Sequence, residues 1–177
     1  SGGCNIAIGQ NAGKKLHSSS DNIAIGRLTA SFNNVTGNYN IMFGNRAGSK
    51  LTSGSQNIFL GASAGRYVTS GARNFVAGTQ SSYCLTLGND NIGIGACTNR
   101  CLTIGSDNIA IGRCANYSDV CTWGNIAIGH SAGYHANATN YRENISIGST
   151  AGGGGACNIA IGVRAVSYTH LRAHETN

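Results

Sequence analysis

The sequence contains no proline, and only 10% of its 177 residues are Asp, Glu, Lys or Arg. A globular surface commonly carries nearer ~25% charged residues. Charge-rich disorder is excluded by that scarcity together with an apolar content of 41%. No apolar run approaches the ~20 residues of a membrane-spanning helix. Glycine is abundant at 27 residues but does not recur at every third position, so a collagen triple helix is excluded. No initiator Met precedes Ser1 and no leader peptide is visible, which reads as a processed product or a fragment.

The net charge is +6, with Lys and Arg scattered from Lys14 to Arg172 and no dense basic block. A nucleic-acid partner would need a basic stripe or an aromatic-basic platform. The expectation is a mildly basic, solvated surface without such a partner.

A short repeat fills the chain instead. Its anchors are Asn5, Asn22, Asn40, Asn57, Asn74, Asn91, Asn108, Asn125, Asn144 and Asn158, at steps of 17, 18, 17, 17, 17, 17, 17, 19 and 14 residues. The residue after each anchor is Ile, or Phe at Phe75. Four residues after each anchor stands Gly, from Gly9 to Gly162, and seven after it stands Ala, Thr or Ser. Ten registers of this kind indicate stacked structural units.

Each unit reads as a short strand and a corner. In Asn5-Ile6-Ala7-Ile8-Gly9, Ile6 and Ile8 face one way and Ala7 the other, the pattern of a strand with one buried face. Gly then turns the chain without a Cβ penalty. A unit this short cannot bury its own apolar face, whereas stacked units build a continuous core. Helices are disfavoured by the β-branched, Gly-bounded segments. Leu85-Thr86-Leu87-Gly88 and Leu102-Thr103-Ile104-Gly105 suggest a second strand per coil. The predicted fold is all-β, a parallel β-solenoid of about ten coils over residues 1–165, a rod about 45–50 Å long. The ten anchor asparagines are expected to stack as one hydrogen-bonded column.

The motif Asn-Ile-Ala-Ile-Gly-x-x-Ala-Gly resembles repeats in the heads of trimeric autotransporter adhesins and in phage tail-fibre proteins, over Cys4 to Arg164. The resemblance implies a surface-exposed rod that presents or forms a binding surface. The coil here is longer, the cysteines are additional, and no coiled-coil stalk is visible. Residues 166–177 depart from the repeat and resemble translated sequencing-adapter read-through, so this tail is set apart from the fold.

Seven cysteines occupy repeat positions. Cys97 and Cys114 share one column in adjacent coils, as do Cys84 and Cys101. A Cα spacing of roughly 5 Å suits disulfides Cys84–Cys101 and Cys97–Cys114, which would place the chain in an oxidising compartment. Cys4 and Cys157 share a column in the first and last coils, where a disulfide between stacked rods would join them. Cys121 falls in the column of Ile104, expected to face the core. The Cys spacing matches no zinc pattern, and no metal or cofactor is expected.

Asn34-Val35-Thr36 and Asn137-Ala138-Thr139 are the better of four N-glycosylation patterns, the others beginning at Asn116 and Asn144. His17, His130 and His135 fall in turns without a nucleophile at triad spacing, so no catalytic site and no enzyme activity is expected. Thr52, Thr69, Thr86 and Thr103 form one column, the feature an ice-binding face would use. The reading therefore favours an extracellular, disulfide-stabilised fibre subunit stacking head to tail with copies of itself. The alternative is an adhesin or tail-fibre segment, a homotrimer that binds a cell or host surface and its glycans.

Overall fold

The computed structural model describes residues 2–117, 120–134, 142–152 and 156–165. It contains ten three-residue strands: β1 (Ile6–Ile8), β2 (Ile23–Ile25), β3 (Ile41–Phe43), β4 (Ile58–Leu60), β5 (Phe75–Ala77), β6 (Ile92–Ile94), β7 (Ile109–Ile111), β8 (Ile126–Ile128), β9 (Ile145–Ile147) and β10 (Ile159–Ile161). They form one parallel sheet in the order β1 to β10. Each strand pairs in register with the same repeat positions of the next, as Ile58 with Phe75 and Leu60 with Ala77. The chain is a β-solenoid, as its repeat predicts, with one coil stacked on the next.

One strand per coil is regular, not two. Around Thr86 and Thr103 the backbone bends, yet its polar groups still pair between coils. The Thr52, Thr69 and Thr86 amides donate to the carbonyls of Thr69, Thr86 and Thr103 at 2.9–3.0 Å. The neighbouring Leu87 amide donates to the Thr103 carbonyl as well, at 3.4 Å. Two donors converging on one acceptor break the alternation a regular ladder needs.

The strand faces are inverted relative to the sequence reading. The central residue of each strand points inward, and Ala24, Met42, Phe59, Val76 and Ala110 are fully buried. The flanking positions point outward, with Phe43 55% exposed. The coil is thin, and its interior accepts one side chain from the strand and small residues from the opposite wall. Where the strand residue is large, the wall is Gly. A Cβ on Gly48 would lie 2.7 Å from the Met42 sulfur, and one on Gly65 would lie 2.6 Å from the Phe59 ring. Where the strand residue is Gly93, the wall positions hold Thr98 and Asn99, both buried. In these three coils the core volume is thus balanced between strand and wall, as dense packing requires. In two other coils both are small, Ala7 facing Gly13 and Ala127 facing Gly133. Leu51, Val68, Leu85 and Leu102 close the core on the remaining side, and beyond them it narrows to Ala110, Ala115, Ala127 and Ala132.

Four positions per coil take a positive φ, two of them six and eight residues after the anchor, as at Arg46 (60°) and Gly48 (53°). The residue before each anchor is left-handed, with φ 58° at Asp21, 60° at Gln56 and 57° at Asp90. The Gly after each strand lies near φ 128°, as at Gly61, a region open essentially to Gly alone. A Cβ on Gly61 would also meet the Gly78 carbonyl at 2.8 Å.

Candidate functional site

Three longitudinal columns and a set of cysteines carry the chemistry of the rod. The first is the anchor ladder. Asn57 donates through its backbone N–H and its Nδ2 to Oδ1 of Asn40, each at 3.0 Å. Its Nδ2 also donates to the Gly71 carbonyl at 2.8 Å. The Asn-to-Asn amide bonds continue from Asn5–Asn22 at one end to Asn144–Asn158 at the other, linking all ten anchors in one column. Asn5 is half-buried and the other nine are buried. A shorter ladder, not foreseen, runs inside the core: Asn116 Nδ2 donates to Asn99 Oδ1 at 2.9 Å. The offset of 17 residues between two Asn at the same repeat position was the available signal.

The second column is the outward face of the sheet. Ile6, Ile41, Ile94, Ile128 and Ile161 are among its exposed apolar residues, and Ile161 is 67% exposed. Cys121 belongs to a neighbouring outward column with the exposed Leu87 and Ile104; it is half-buried and does not face the core.

The cysteines form a set of their own. All seven are free thiols in the structure, so the expected Cys84–Cys101 and Cys97–Cys114 bonds are not formed. In a parallel in-register stack, side chains project in parallel, so Cβ atoms are held at about the ~4.8 Å strand spacing. A disulfide favours a Cβ separation of about 3.5–4.5 Å. The pairs are nonetheless neighbours: burial pushes the Cys84 and Cys97 thiols up, and the adjacent Cys101 and Cys114 push the same way. Cys4 and Cys157 are exposed, and the Cys157 thiol lies 3.6 Å from Glu143 Oε2.

The third column alternates cations with aromatic rings. The Arg66 and Arg100 Nη1 atoms donate to the Tyr83 and Tyr117 hydroxyls, each at 2.8 Å. The guanidinium of Arg66 lies 5.3 and 5.6 Å from the Tyr67 and Tyr83 ring centroids, and that of Arg100 lies 5.5 and 5.6 Å from Tyr83 and Tyr117. Lys50 Nζ sits 4.3 Å over Tyr67, and Tyr117 stacks on Tyr134 at 5.7 Å. The sequence reading missed this column because the basic residues are dispersed along the chain and converge only after stacking.

Other candidates are placed as follows. Asn34 is exposed in its loop, Asn116 and Asn144 are buried, and Asn137 lies outside the described residues. His130 pairs with Arg113 at 2.8 Å, and His135 lies outside the described residues, as does the tail from residue 166 onward. The Thr52, Thr69, Thr86 and Thr103 hydroxyls donate to carbonyls of the following coil at 2.8–3.1 Å. Those donors run along the rod axis. Among the acids, Asp90 makes a two-pronged ion pair with Arg73, both contacts at 2.7 Å; that pair holds the Asp90 carboxyl below its usual range. Compared with protein-family models, curated proteins and solved structures, the chain gives no match.

Proposed function

We propose that the chain is a structural subunit of an extracellular fibre, assembled by extending the same coil-on-coil stacking between chains. The observation that carries this reading is the uniformity of the joints. The same strand register and the same anchor bond recur from β1–β2 to β9–β10. A coil of one chain therefore presents to a second chain the template that it presents to its own neighbour. Unpaired strand edges recruit further strands, and a head-to-tail contact that does not close yields a filament. In such a joint Cys4 and Cys157 share a column, and both are exposed. An intermolecular disulfide is proposed there, where two separate rods can adjust to its geometry.

A second reading, a trimeric adhesin or tail-fibre segment at a cell or virion surface, is favoured by the exposed apolar outer face of the sheet. Three-residue strands about 10 Å wide, over nine coil steps, give a face of about 430 Å². Two such faces bury about 860 Å² in total, below the ~1,200 Å² at which specific interfaces begin. Lateral contact by this face alone is weak for a pair and stronger for three rods sharing a centre.

Small-angle scattering over a concentration series separates the two. End-to-end assembly lengthens the particle at constant cross-section, and loss of covalent dimers in non-reducing gels of Cys4→Ser accompanies it. Lateral association enlarges the cross-section at constant length. Constant length and cross-section at the highest concentration would contradict both.

A further inference from the structure

Among the described residues the ion pair is Arg73–Asp90, and Lys50, Arg66 and Arg100 stand along one edge of the rod without a carboxylate partner. Lys14 and Lys15 fall at the same repeat positions in the first coil. Among the described residues the acids stand elsewhere: Asp21, Asp90, Asp107 and Glu143 directly precede an anchor, and Asp119 and Glu175 lie outside the described residues. Backbone bonds join this edge from coil to coil, from Lys50 to Arg66, Tyr67 to Tyr83, Cys84 to Arg100 and Cys101 to Tyr117. The cations thus occupy coils one, three, four and six, and the edge from Lys50 to Tyr117 spans about 19 Å at ~4.8 Å per coil.

A track of this length exceeds what a small anion needs and matches a linear polyanion. The rings decide which kind. Tyr67, Tyr83 and Tyr117 each carry a cation over a face. Tyr83 is held between Arg66 and Arg100, and Tyr117 between Arg100 and Tyr134. Single-stranded nucleic acids bind by stacking bases on open aromatic faces, and these faces are taken. What the column offers outward is its edge, a row of guanidinium and phenol groups suited to sulfate or carboxylate oxygens and sugar hydroxyls.

We propose that the edge running through Lys50, Arg66, Tyr83, Arg100 and Tyr117 is a binding track for a linear anionic polysaccharide, sulfated or uronate-rich. This deepens the surface-binding reading, but the track lies on a single rod. Its binding is measured separately from the association state.

The test is surface plasmon resonance of the purified chain on immobilised heparin, with polyuronate, dextran and poly(dT) as competitors, across a salt series. Arg66→Gln/Arg100→Gln is expected to weaken heparin binding about tenfold or more and to lower the salt slope by about two. Arg27→Gln/Arg113→Gln removes the same charge from the exposed Gly corner, and a change within about twofold is expected. Arg66→Lys/Arg100→Lys, folded by circular dichroism, keeps most of the affinity and guards against a folding artefact. Equal losses in the two Gln pairs would reduce the effect to net charge and overturn the track. Competition by poly(dT) as strong as that by heparin would overturn it in favour of nucleic acid. A rod that associates as proposed yet ignores heparin sinks this proposal alone.

Discussion

Asn57 Oδ1 accepts two hydrogen bonds from Asn74, one from its backbone N–H and one from its Nδ2, each at 3.0 Å. One oxygen thereby fixes both the backbone register and the side-chain rotamer of the next coil. The anchors from Asn5 to Asn125 all accept this pair of bonds, so an error at one joint is felt by both neighbours. Asn57→Ala leaves Asn74 with two buried donors unserved and frees the Gly71 carbonyl. Each orphaned group costs roughly 1–3 kcal/mol, so a loss of several kcal/mol is expected in chemical denaturation. A loss under about 0.5 kcal/mol, the range of an ordinary surface substitution, would show that the ladder does not hold the stack.

Gly61→Ala tests the corner. Its Cβ would meet the Gly78 carbonyl oxygen at 2.8 Å, and φ of +128° is closed to Ala. Strain of about 1–3 kcal/mol from the backbone alone, with the added clash, is expected to lower the thermal midpoint sharply. Gln56→Gly, at a left-handed corner with φ 60°, is the control. Relief of about 1 kcal/mol there is expected against a similar gain in unfolded-chain entropy, so its stability stays near that of the parent. A Gly61→Ala variant as stable as Gln56→Gly would refute this account of the corners.

The core predicts a compensating pair. Phe59→Ala empties a fully buried site and is expected to cost about 3–5 kcal/mol. Gly65→Ala alone clashes with the Phe59 ring. Its position tolerates a Cβ otherwise, since Ala30 and Ser82 occupy the equivalent places with φ of 46° and 47°. The double variant should therefore be more stable than the sum of its parts by about 1 kcal/mol or more. Simple additivity in urea melts would argue that the wall does not respond to the strand residue.

The thiols carry a pH signature. Burial raises Cys84 and Cys97, with their neighbouring thiols adding to the shift. A thiol raised in the fold holds its proton more tightly folded than unfolded. Its contribution to stability is whole below the ordinary thiol range and is lost as pH rises through the raised value. Iodoacetamide labelling of the reduced chain, read by mass spectrometry, should therefore lag at Cys84 and Cys97 relative to the exposed Cys4 and Cys157 near pH 8. The lag should shrink at more alkaline pH. Equal rates at all four positions throughout would contradict the description of Cys84 and Cys97 as half-buried thiols.

Repetition made the stacking legible in the sequence, because ten anchors at near-constant spacing fix register without any knowledge of contacts. The anchor ladder and the Gly corners followed from it. The inward face did not, since a period of two says that faces alternate and not which one is inside. Hydrophobicity pointed to Ile6 and Ile8, while the thin coil admits the residue between them. The complement of Phe59 with Gly65 was readable only by comparing positions within one coil. The Arg66–Tyr83–Arg100–Tyr117 column was readable only by comparing positions across coils, at the 17-residue offset.

Fibre diffraction from an oriented, concentrated sample tests the central claim most directly. Strands perpendicular to a continuous fibre axis predict a strong meridional reflection at about 4.8 Å. The same material under negative stain should show filaments longer than the ~45–50 Å of a single rod. A sample that will not orient, contains only particles of single-rod length and lacks that meridional reflection would contradict the account.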